Sequence, residues 1–548
     1  MVTQNTVSKK TYTGAQIIVQ TLKNLGVDTI FGYPGGVVLS IYDELFKQND
    51  IKHYLVRHEQ AAVHAAEGYA RVTGKCGVVL VTSGPGAANT VSGIANAYMD
   101  GYPLVVLTGQ VFKNLIGTDA FQEINIVDIT KTCTKAGYQV TDIKTLESSL
   151  KDAFHCALSG KRGPVVVDIA KNVFSEQTSL QPSIKYEDNK KLPYDYEIQD
   201  ILNEIISASK PVVVTGGGLI HSRSNKELHE FVKSLNLPVV TTMMGIGSFP
   251  QNDENYIGMI GIFGQNSANE TLRNSDLILS FGARFNDRIT CCFKKEELSK
   301  KFIQIDINPE EISRVIPAYK SINSDIKYVL EKLNEIINNN NYTTNYTKWL
   351  EEIRTYKKSD IKREPISNKL QSYEVIQAIY KYTKDMEPIV TTEVGQHQLW
   401  TAQNFKFNTC GKFLTSGGSG TMGFGLPAAI GASIGTKKQP VICIAGDGSI
   451  QMNEQELATC VDYELPVKIF IMNNGYLGMV RQLQQKGFNE RYSQTKISNP
   501  DFIKLANAYG IKAERVNNSS EINEALNRAF SVNEPYIIDF IIEPFEVV

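Results

Sequence analysis

Short runs of apolar, β-branched residues recur along this 548-residue chain, and each is followed by a glycine or polar turn and then a segment with helical periodicity. The runs lie at residues 77–86, 103–109, 164–170, 211–218, 277–283, 302–307, 440–449 and 466–474. Apolar strands that alternate with helices are typical of parallel sheets covered by helices on both faces. The pattern therefore predicts an α/β fold built from doubly wound parallel sheets.

Two polar stretches divide this pattern into three segments. Residues 175–196 lack periodicity and contain prolines, which is typical of a linker. The stretch from 338 to about 368 is Asn-rich at first and then partly helical. The predicted domains are residues 1–178, 197–340 and 369–548, and a chain of this length is expected to form about three or four domains.

Composition and charge argue against several functional classes. The chain is 42% hydrophobic and 21% charged, and its formal net charge of -2 with no long basic run does not indicate nucleic-acid binding. No stretch resembles a signal peptide or a membrane span of ~20 apolar residues, so we expect a cytoplasmic protein. The cysteines show no CxxC spacing and include one adjacent pair, Cys291 and Cys292, so we expect reduced thiols.

The most specific local motif is GDGS at residues 446–449, at the end of a predicted strand. After a helix and a further strand it is followed by the pair NN at residues 473–474. Both pieces then lie at the carboxyl ends of parallel strands and can face one ion. Mg²⁺ prefers oxygen ligands, and the predicted ligands are Asp447, Asn474 and the backbone carbonyl of Tyr476.

The same motif offers a place for a diphosphate. Gly446 and Gly448 allow a tight turn, so that a diphosphate can approach backbone N–H groups at the start of the next helix. Either piece alone would be read as an ordinary turn or loop. The pair at this separation resembles the signature of thiamine-diphosphate enzymes, which is a more specific signal.

A candidate activating carboxylate, Glu59, lies where the run YLVRHEQAAVHAAEGYAR (54–71) passes from a strand into an Ala-rich helix. Thiamine enzymes need a carboxylate against the aminopyrimidine ring nitrogen, and a glutamate in an apolar site has a raised pKa and can share that proton. The alternative is an ordinary first-turn acid that interacts with the helix dipole. We interpret His58 and His64 as structural.

Longer stretches carry a resemblance to a known family over nearly the whole chain. They are FGYPGGVVLSIYD (31–43), VRHEQAAVHAAEGYAR (56–71), TSGPGAANTVSGIANAYMDG (82–101), IGTDAFQE (116–123), GPVVVDIAKN (163–172), GARFNDRIT (282–290), VGQHQLW (394–400), GTMGFGLPAAIGA (420–432), GDGSIQMNEQELAT (446–459) and MNNGYLGMVRQ (472–482). Together they resemble the catalytic subunits of acetolactate (acetohydroxyacid) synthases, which are thiamine-diphosphate-dependent enzymes.

The resemblance implies an architecture and a set of cofactors. The three segments would be a pyrimidine-binding domain, a central Rossmann-like FAD-binding domain and a diphosphate-binding domain. Thiamine diphosphate, Mg²⁺ and a structural FAD are implied, and the active site would lie between two subunits. We therefore expect a homodimer or homotetramer, with a small regulatory subunit as a further possible partner.

The resemblance also implies residue roles. The implied catalytic positions are Glu59, Gln122, Gly36 and Met422. The implied contacts to thiamine diphosphate are Gln396, His397, Gly446, Gly448 and Ser449, with Lys161 as a further cofactor contact. The implied flavin contacts are Gly216, Gly217, Thr242, Met243, Phe263, Gly264, Arg284, Asp287 and Asp306. The implied substrate contacts are Arg288, Phe121, Lys171, Leu483 and Met479.

Plainer interpretations remain open for some of these residues. Met422, which would lie beneath the cofactor, could be a core methionine on an Ala/Gly-rich helix. Arg288 suits an acceptor carboxylate because a guanidinium pairs with it through two hydrogen bonds, but it could equally form a salt bridge with flavin or a carboxylate. By composition the central segment would be called only Rossmann-like, because GGG after a strand is a weak signal.

Departures from the family pattern fall on the acceptor side. Leu483 replaces a tryptophan, Ile262 and Phe263 replace a Met-His pair, Glu393 replaces an aspartate, and the chain ends at 543–548 without the usual tail. Loss of an indole is expected to enlarge the acceptor pocket, weaken selection of 2-ketobutyrate over pyruvate and admit bulkier ketones. The plainer interpretation of these departures is drift within an ordinary synthase.

Pyruvate is therefore the predicted donor, and the leading product is 2-acetolactate, made from pyruvate and a second 2-ketoacid. The alternative acceptor is a bulkier ketone, such as a nucleotide-linked keto sugar. A noncatalytic homologue and a flavin-dependent pyruvate oxidase or decarboxylase also remain open.

Overall fold

The computed structural model describes residues 11–179, 192–298, 300–340, 342–358, 360, 363–436 and 439–548. These residues form three six-stranded parallel sheets and one two-stranded antiparallel sheet. Every predicted apolar run overlaps a strand of one of the parallel sheets. The predicted fold class is confirmed.

The first segment contains one parallel sheet with its helices. Its strands are β1 (Tyr12–Thr13), β2 (Thr29–Gly32), β3 (Lys52–Leu55), β4 (Gly77–Val81), β5 (Leu104–Gln110), β6 (Ala136–Val140), β7 (Pro164–Ala170) and β8 (Gln177–Thr178). Its helices are α1 (Gly14–Asn24), α2 (Leu39–Phe46), α3 (Glu59–Thr73), α4 (Pro85–Ala88), α5 (Val91–Asp100), α6 (Ile126–Thr130) and α7 (Ile143–Leu158). The sheet order is β3-β2-β4-β5-β7-β6, and β1 pairs with β8.

The central segment forms the second sheet, ordered β11-β10-β9-β12-β13-β14. The strands are β9 (Pro211–Thr215), β10 (Val239–Thr241), β11 (Tyr256–Met259), β12 (Leu277–Phe281), β13 (Lys301–Asp306) and β14 (Lys320–Asn323). The helices are α8 (Asp195–Ser207), α9 (Gly217–Ser222), α10 (Asn225–Leu235), α11 (Asn266–Asn274), α12 (Asp287–Thr290), α13 (Lys295–Leu298), α14 (Ile326–Asn340) and α15 (Thr347–Lys357).

The last segment forms the third sheet, ordered β16-β15-β17-β18-β20-β19. The strands are β15 (Ile389–Thr392), β16 (Phe413–Thr415), β17 (Val441–Gly446), β18 (Lys468–Asn473), β19 (Lys512–Val516) and β20 (Tyr536–Ile541). The helices are α16 (Ser372–Thr383), α17 (Gln396–Asn404), α18 (Gly425–Gly435), α19 (Asp447–Ile450), α20 (Leu457–Asp462), α21 (Gly478–Gly487), α22 (Phe502–Ala508) and α23 (Ile522–Phe530).

The three parallel sheets share one topological feature. Each begins at an inner strand, adds its next one or two strands toward one edge, and then crosses to the other side of the first strand. The resulting switch points lie between β2 and β4, between β9 and β12, and between β15 and β17. Loops diverge at such a point, so the carboxyl ends of those strands border a crevice where ligands bind.

The described chain packs into two compact units. The first comprises described residues within 1–188, 418–437 and 453–465, and the second comprises those within 189–417, 438–452 and 466–548. The first unit therefore includes α18 and α20, although both come from the last third of the sequence.

The structure describes only a part of the first predicted linker, whereas most of the second is described and contains a helix. Much of the stretch 175–196 lies outside the described residues, although α8 begins within it. In the second stretch, α15 belongs to the central domain, because the indole Nε1 of Trp349 donates to the carbonyl oxygen of Pro211 at 3.0 Å in the core. Among the described helices, none is long and apolar enough to cross a membrane.

Candidate active site

The GDGS and NN motifs meet at one edge of the third sheet. β17 ends at Gly446 and pairs in parallel with β18, so the residues that follow the two strands are neighbours. The Asp447 carboxylate is buried, and its Oδ2 accepts hydrogen bonds from the Gly475 N–H at 2.7 Å and from Asn499 Nδ2 at 2.7 Å. Asn474 Oδ1 accepts from the backbone N–H two residues later at 2.9 Å.

This edge provides oxygen atoms that suit a hard cation. Burial raises the pKa of Asp447 to about 6, although hydrogen bonds from Asn499 and from backbone N–H groups oppose the shift. A cation beside the carboxylate would favour its ionised form. Within the described part of the chain, no group of three or more His, Cys, Asp or Glu side chains could hold a metal. The mixed set Asp447, Asn474 and the Tyr476 carbonyl fits Mg²⁺ better than a softer metal.

His397 offers an unused polar atom beside this edge. It lies in the first turn of α17, which follows β15 across the switch point from β17. Its Nε2 is buried and has no hydrogen-bond partner among the described residues. Burial lowers its pKa to about 3, so the ring is neutral. The backbone of Glu393 is a hydrogen-bond partner of the ring, so Nε2 is the nitrogen left available to a ligand. An anion such as a diphosphate beside Nε2 would favour its protonation, and the protonated nitrogen could then donate to a phosphate oxygen.

Gly446 and Ser449 bring the chain close to His397. A Cβ on Gly446 would lie 2.9 Å from His397 Nδ1, so a larger residue would displace the ring. Ser449 Oγ donates to Glu393 Oε1 at 2.8 Å and accepts from the Gly446 N–H at 3.2 Å. Glu393 therefore stabilises the GDGS turn through its hydrogen bond from Ser449.

The Gln396 side chain is hydrogen-bonded to α21 and to the backbone close to the C-terminus. Its Nε2 donates to Gln482 Oε1 at 2.7 Å and to the Glu546 carbonyl at 2.9 Å. These bonds use both hydrogens of the amide nitrogen, and Oε1 lies 3.5 Å from Asn474 Nδ2. In this arrangement Gln396 has no spare donor for a diphosphate, so its role in cofactor binding stays a prediction.

In the first unit, Glu59 is the first residue of α3. The side chain of His58 caps this helix, because its Nδ1 accepts from the Gln60 N–H at 3.1 Å. Glu59 Oε2 accepts from Asn89 Nδ2 at 2.9 Å, and a Cβ on Gly86 would lie 3.3 Å from Oε1. The half-buried carboxyl therefore lies between the Asn89 amide, which donates to it, and the backbone at Gly86.

The loop 82–86 after β4 gathers the other predicted catalytic positions of this unit. A Cβ on Gly84, whose φ is 57°, would lie 2.8 Å from the Cβ of Gln122. A Cβ on Gly35 would lie 2.5 Å from the Cβ of Thr82. Of the predicted positions, Glu59 and Gln122 lie against this loop, and Gly36 follows the residue that contacts it, with nothing within 4 Å of a Cβ at its own position.

Met422 lies in the turn before α18 rather than on that helix. Its interpretation as a core methionine within the helix is therefore wrong about its location. The surrounding segment is tied to α5, because the Gly418 N–H donates to Asp100 Oδ1 at 2.7 Å and Thr421 Oγ1 donates to Asn96 Oδ1 at 2.9 Å.

The predicted flavin contacts all lie at the carboxyl edge of the second sheet. Gly216 and Gly217 follow β9, Thr242 and Met243 follow β10, Phe263 and Gly264 follow β11, Arg284 and Asp287 follow β12, and Asp306 ends β13. A Cβ on Gly216 would lie 2.2 Å from the Gly282 carbonyl oxygen, so backbones meet at the switch point. This crevice fits the place where Rossmann-like sheets bind dinucleotides.

The predicted substrate contacts are more exposed. The side chain of Arg288 is 69% exposed, with its Nε 3.7 Å from Asp287 Oδ2. Phe121 is 88% exposed and Leu483 is 57% exposed. Met479 is half-buried, one helical turn before Leu483 on α21.

Two predicted lysines lie on opposite edges of the first sheet. Lys171 follows β7, and its Nζ lies 5.2 Å from the centre of the Phe112 ring. Lys161 precedes β7, at the amino edge of the sheet, and its Nζ lies 5.5 Å from the Tyr98 ring. The position of Lys161 is unlike that of the other predicted contacts in this unit, which lie at the carboxyl edge.

Comparison with known proteins assigns the family. Three families described as the N-terminal TPP binding domain, the central domain and the C-terminal TPP binding domain of thiamine pyrophosphate enzymes match residues 12–129, 198–333 and 393–540. The acetolactate synthase large subunit of Haemophilus influenzae is 40% identical, over 98% of this chain and 96% of its own length. This chain belongs to the acetolactate synthase family of thiamine-diphosphate enzymes. The expected family is confirmed.

Other acetolactate synthases show the same extent of similarity. The isozyme 3 large subunit of Escherichia coli is 42% identical, over 94% of this chain and 92% of its own length. The acetolactate synthase of Mycobacterium bovis is 40% identical, over 97% of this chain and 88% of its own length. The similarity therefore spans all three domains.

Sequence reasoning missed the polar residues that hold the acetolactate synthase motifs in place. Asn499 and Asn89 each bond a predicted functional carboxylate. Glu123 accepts from the N–H groups of Gly117, Thr118 and Ala120, and these bonds hold its pKa below the usual range. Glu123 thereby shapes the loop that carries Phe121 and Gln122. Its place in the motif IGTDAFQE was the one signal that could have identified it.

Proposed function

We propose that this protein joins two pyruvate molecules to form 2-acetolactate and carbon dioxide, with the uptake of one proton. The observation that carries the proposal is the 40% identity to an acetolactate synthase large subunit over 98% of the chain. The relatives give no support to a bulkier ketone as acceptor.

Thiamine diphosphate, when bound, supplies an electron sink for the decarboxylation. Glu59 would hold a proton on its carboxyl group against the aminopyrimidine ring. The hydrogen bond from Asn89 keeps Oε2 of this carboxyl in one orientation, and the backbone at Gly86 lies close enough to limit movement of Oε1. Gln122 lies against the same loop, Gly36 follows the residue that contacts it, and both would border the reacting carbonyl group.

Asp447, Asn474 and the Tyr476 carbonyl would hold Mg²⁺ at the edge of the third sheet. His397 Nε2 and the N–H groups at the start of α19 would donate to the diphosphate. The buried nitrogen that has no partner among the described residues supports this assignment, because such an atom is costly unless a ligand satisfies it. Gly446 and Gly448 would let the diphosphate approach the backbone.

FAD would occupy the crevice between β9 and β12. Gly216 and Gly217 would border it, and Asp306, whose Oδ1 accepts from the Asn308 N–H at 2.9 Å, would close it at β13. Joining two pyruvates involves no net redox change, so the flavin would have a structural role. Visible absorbance of the purified protein tests for bound flavin directly.

We also propose the assembly and location of the protein. A homodimer or homotetramer would form the active site between subunits. A small regulatory subunit would be a partner, because several relatives are called large subunits. The composition suits a cytoplasmic enzyme.

The decisive experiment incubates the purified protein with carbon-13-labelled pyruvate, thiamine diphosphate, Mg²⁺ and FAD, and follows the products by NMR. We expect acetolactate to form, and Glu59→Gln to lower the rate by about 10²- to 10⁴-fold. Glu176→Gln, at an exposed site in the same unit, should retain the rate. An inert protein, or one that turns over pyruvate only when a bulky ketone is added, would contradict the proposal. Oxygen-dependent peroxide formation would instead indicate an oxidase.

A further inference from the structure

A buried glutamate holds the turn that leads into Glu59. Glu456 is 0% exposed, and its Oε1 accepts from the backbone N–H groups of Arg57 at 2.9 Å and His58 at 3.1 Å. Thr459 Oγ1 donates to the other carboxylate oxygen at 2.7 Å. These contacts all lie within the first unit.

The two N–H groups bonded by Glu456 belong to neither a strand nor a helix. β3 ends at Leu55 and α3 begins at Glu59, so Arg57 and His58 lie in the connection between them. A backbone N–H in such a connection needs a side chain or water as its partner. One carboxylate oxygen that accepts two successive N–H groups fixes the direction in which the chain enters α3.

Neighbouring contacts support the same connection. The Leu55 N–H donates to the Tyr463 hydroxyl at 2.7 Å, and the Tyr463 ring lies 4.8 Å from the Tyr54 ring, edge to face. Arg57 Nη2 pairs with Asp462 Oδ2 at 2.5 Å at a partly exposed site. An exposed ion pair contributes little, so the buried carboxylate is the main constraint on the turn.

We propose that Glu456 is a positioning residue for the carboligation reaction, because its carboxylate fixes the backbone of residues 57–58 and thereby sets the position of the Glu59 carboxyl. This inference rests on the proposed role of Glu59. Glu456 holds the backbone of the two residues that precede α3, whereas Asn89 holds the side chain of Glu59 itself. The two contacts together fix both ends of the activating residue.

The ionisation of Glu456 adds a second consequence. Burial raises its pKa to about 7, while the Thr459 hydroxyl and the Arg57 and His58 N–H groups oppose the shift. The charged carboxylate, which is the stronger acceptor, therefore predominates above about pH 7 and declines below it.

The ionisable groups around Glu456 come from two elements. The connection to α3 contributes the Arg57 guanidinium and the His58 ring. Helix α20 contributes the Cys460 thiol, whose pKa is raised by burial and by Glu456, and Asp462, which is paired with Arg57. Helix α18 packs against the short 3-10 turn Glu454–Glu456 that carries Glu456, and it has no ionisable side chain. The positioning of Glu59 should therefore weaken as the pH falls below about 7.

The test compares Glu456→Ala and Glu456→Gln with the wild type. Glu464→Gln is the control, because its exposed side chain lies near the same segment. The first measurement is amide hydrogen exchange of residues 54–60 in the cofactor-free protein, together with the Kd for thiamine diphosphate by calorimetry. We expect faster exchange and weaker cofactor binding in Glu456→Ala, and a smaller change in the same direction in Glu456→Gln, whose neutral amide oxygen can accept the same two bonds but is a weaker acceptor than the carboxylate.

The second measurement is the steady-state rate with pyruvate between pH 6 and pH 8. Glu456→Ala should lower kcat about tenfold or more while KM for pyruvate stays within about twofold, because misplacement of an activating group affects turnover rather than substrate binding. Glu456→Gln should lower kcat at pH 8 less than Glu456→Ala does, and it should lose the part of the acid limb that centres near pH 7.

Three outcomes would overturn the inference. They are unchanged exchange at residues 57–58 in Glu456→Ala, an unchanged kcat in that variant, or identical pH profiles for wild type and Glu456→Gln. If Glu456→Ala does not fold, the pH profile of Glu456→Gln decides. A wild type that makes no acetolactate would refute the proposed function, whereas exchange and cofactor affinity would still report on Glu456.

Discussion

The carboxylate of Asp447 owes its orientation to Asn499, which lies 52 residues further along the chain. Asn499 Nδ2 donates to Asp447 Oδ2 at 2.7 Å and to Asn473 Oδ1 at 3.0 Å, so one amide joins both motifs of the proposed metal site. Residues that hold metal ligands in this way control affinity almost as strongly as the ligands themselves.

Replacing Asn499 with alanine should therefore weaken Mg²⁺-dependent binding of thiamine diphosphate by about 10- to 100-fold. Calorimetric titration with the cofactor at fixed Mg²⁺ measures this change. Ser498→Ala, at the exposed neighbouring position, serves as the control. An Asn499→Ala protein that binds the cofactor like the wild type would show that Asp447 does not need this contact.

Leu483 is the residue at which acceptor selection is most open to test. Its side chain is 57% exposed on α21, where a larger ring can be accommodated without displacing core atoms. A pocket gains discrimination between small ketoacids when it gains apolar contact area.

Leu483→Trp should raise the preference for 2-ketobutyrate over pyruvate as acceptor by about tenfold. Product ratios from mixtures of the two ketoacids measure the effect, with Leu483→Met as a control of similar size. Equal ratios in the three proteins would mean that this side chain does not line the acceptor site.

At the scale of elements, the first unit depends on close contact between α3 and α18. A Cβ on Gly431 would lie 1.8 Å from the Ala65 carbonyl oxygen, and one on Gly68 would lie 2.2 Å from the Ala428 carbonyl oxygen. The helices therefore meet backbone to backbone at both positions. Helix α3 carries Glu59, and α18 follows the turn that carries Met422, so this contact sets the spacing of two predicted catalytic residues.

Gly431→Ala should destabilise the protein by about 1–3 kcal/mol, because the added methyl group forces the two helices apart. Thermal unfolding of the cofactor-free protein detects the change as a lower Tm. Gly487→Ala is the matched control, since nothing lies within 4 Å of a Cβ at that helical glycine. Equal melting temperatures for the two variants would refute this account of the helix contact.

At the scale of the whole molecule, the three parallel sheets share one arrangement of predicted ligand contacts. In each sheet most of the predicted ligand contacts lie at the carboxyl edge, which contains the switch point, whereas Lys161 lies at the amino edge of the first sheet. The cores beneath these crevices bury ionisable groups, including His64, which is 0% exposed in the first unit. Burial, followed by the nearby charge of Arg71, lowers the pKa of His64 to about 3.

This burial makes stability depend on pH in a defined direction. A histidine whose pKa is lower in the folded state stabilises the fold fully above about pH 6.5, and that contribution is lost as the pH falls from about 6.5 toward 3. His64→Leu removes the group, so acidification from pH 7 to pH 5 should destabilise the variant by about 1–2 kcal/mol less than the wild type. Unfolding curves at several pH values measure the difference, and parallel curves for the two proteins would contradict it.

Sequence reasoning reached the fold class and the family because those signals are local. The apolar runs became strands, GDGS ended β17, and Glu59 began α3, since strand and helix periodicity and glycine turns are properties of short segments. The alternative interpretation of Met422 as a core methionine on a helix was wrong about its location, because nothing in the Gly-rich run marks α18 as beginning only at Gly425.

The partners of the predicted residues could be seen only in three dimensions. Asn499 reaches Asp447 across 52 residues, and Glu456 reaches Arg57 across 399. Gln396 is bonded to Gln482 and Glu546 through contacts that no local pattern contains. By itself the sequence determined which segments form strands, helices and ligand-binding turns, because those preferences act over a few residues. Tertiary structure decided which distant polar groups hold these turns in place, because hydrogen-bond pairing depends on positions that only the folded chain defines.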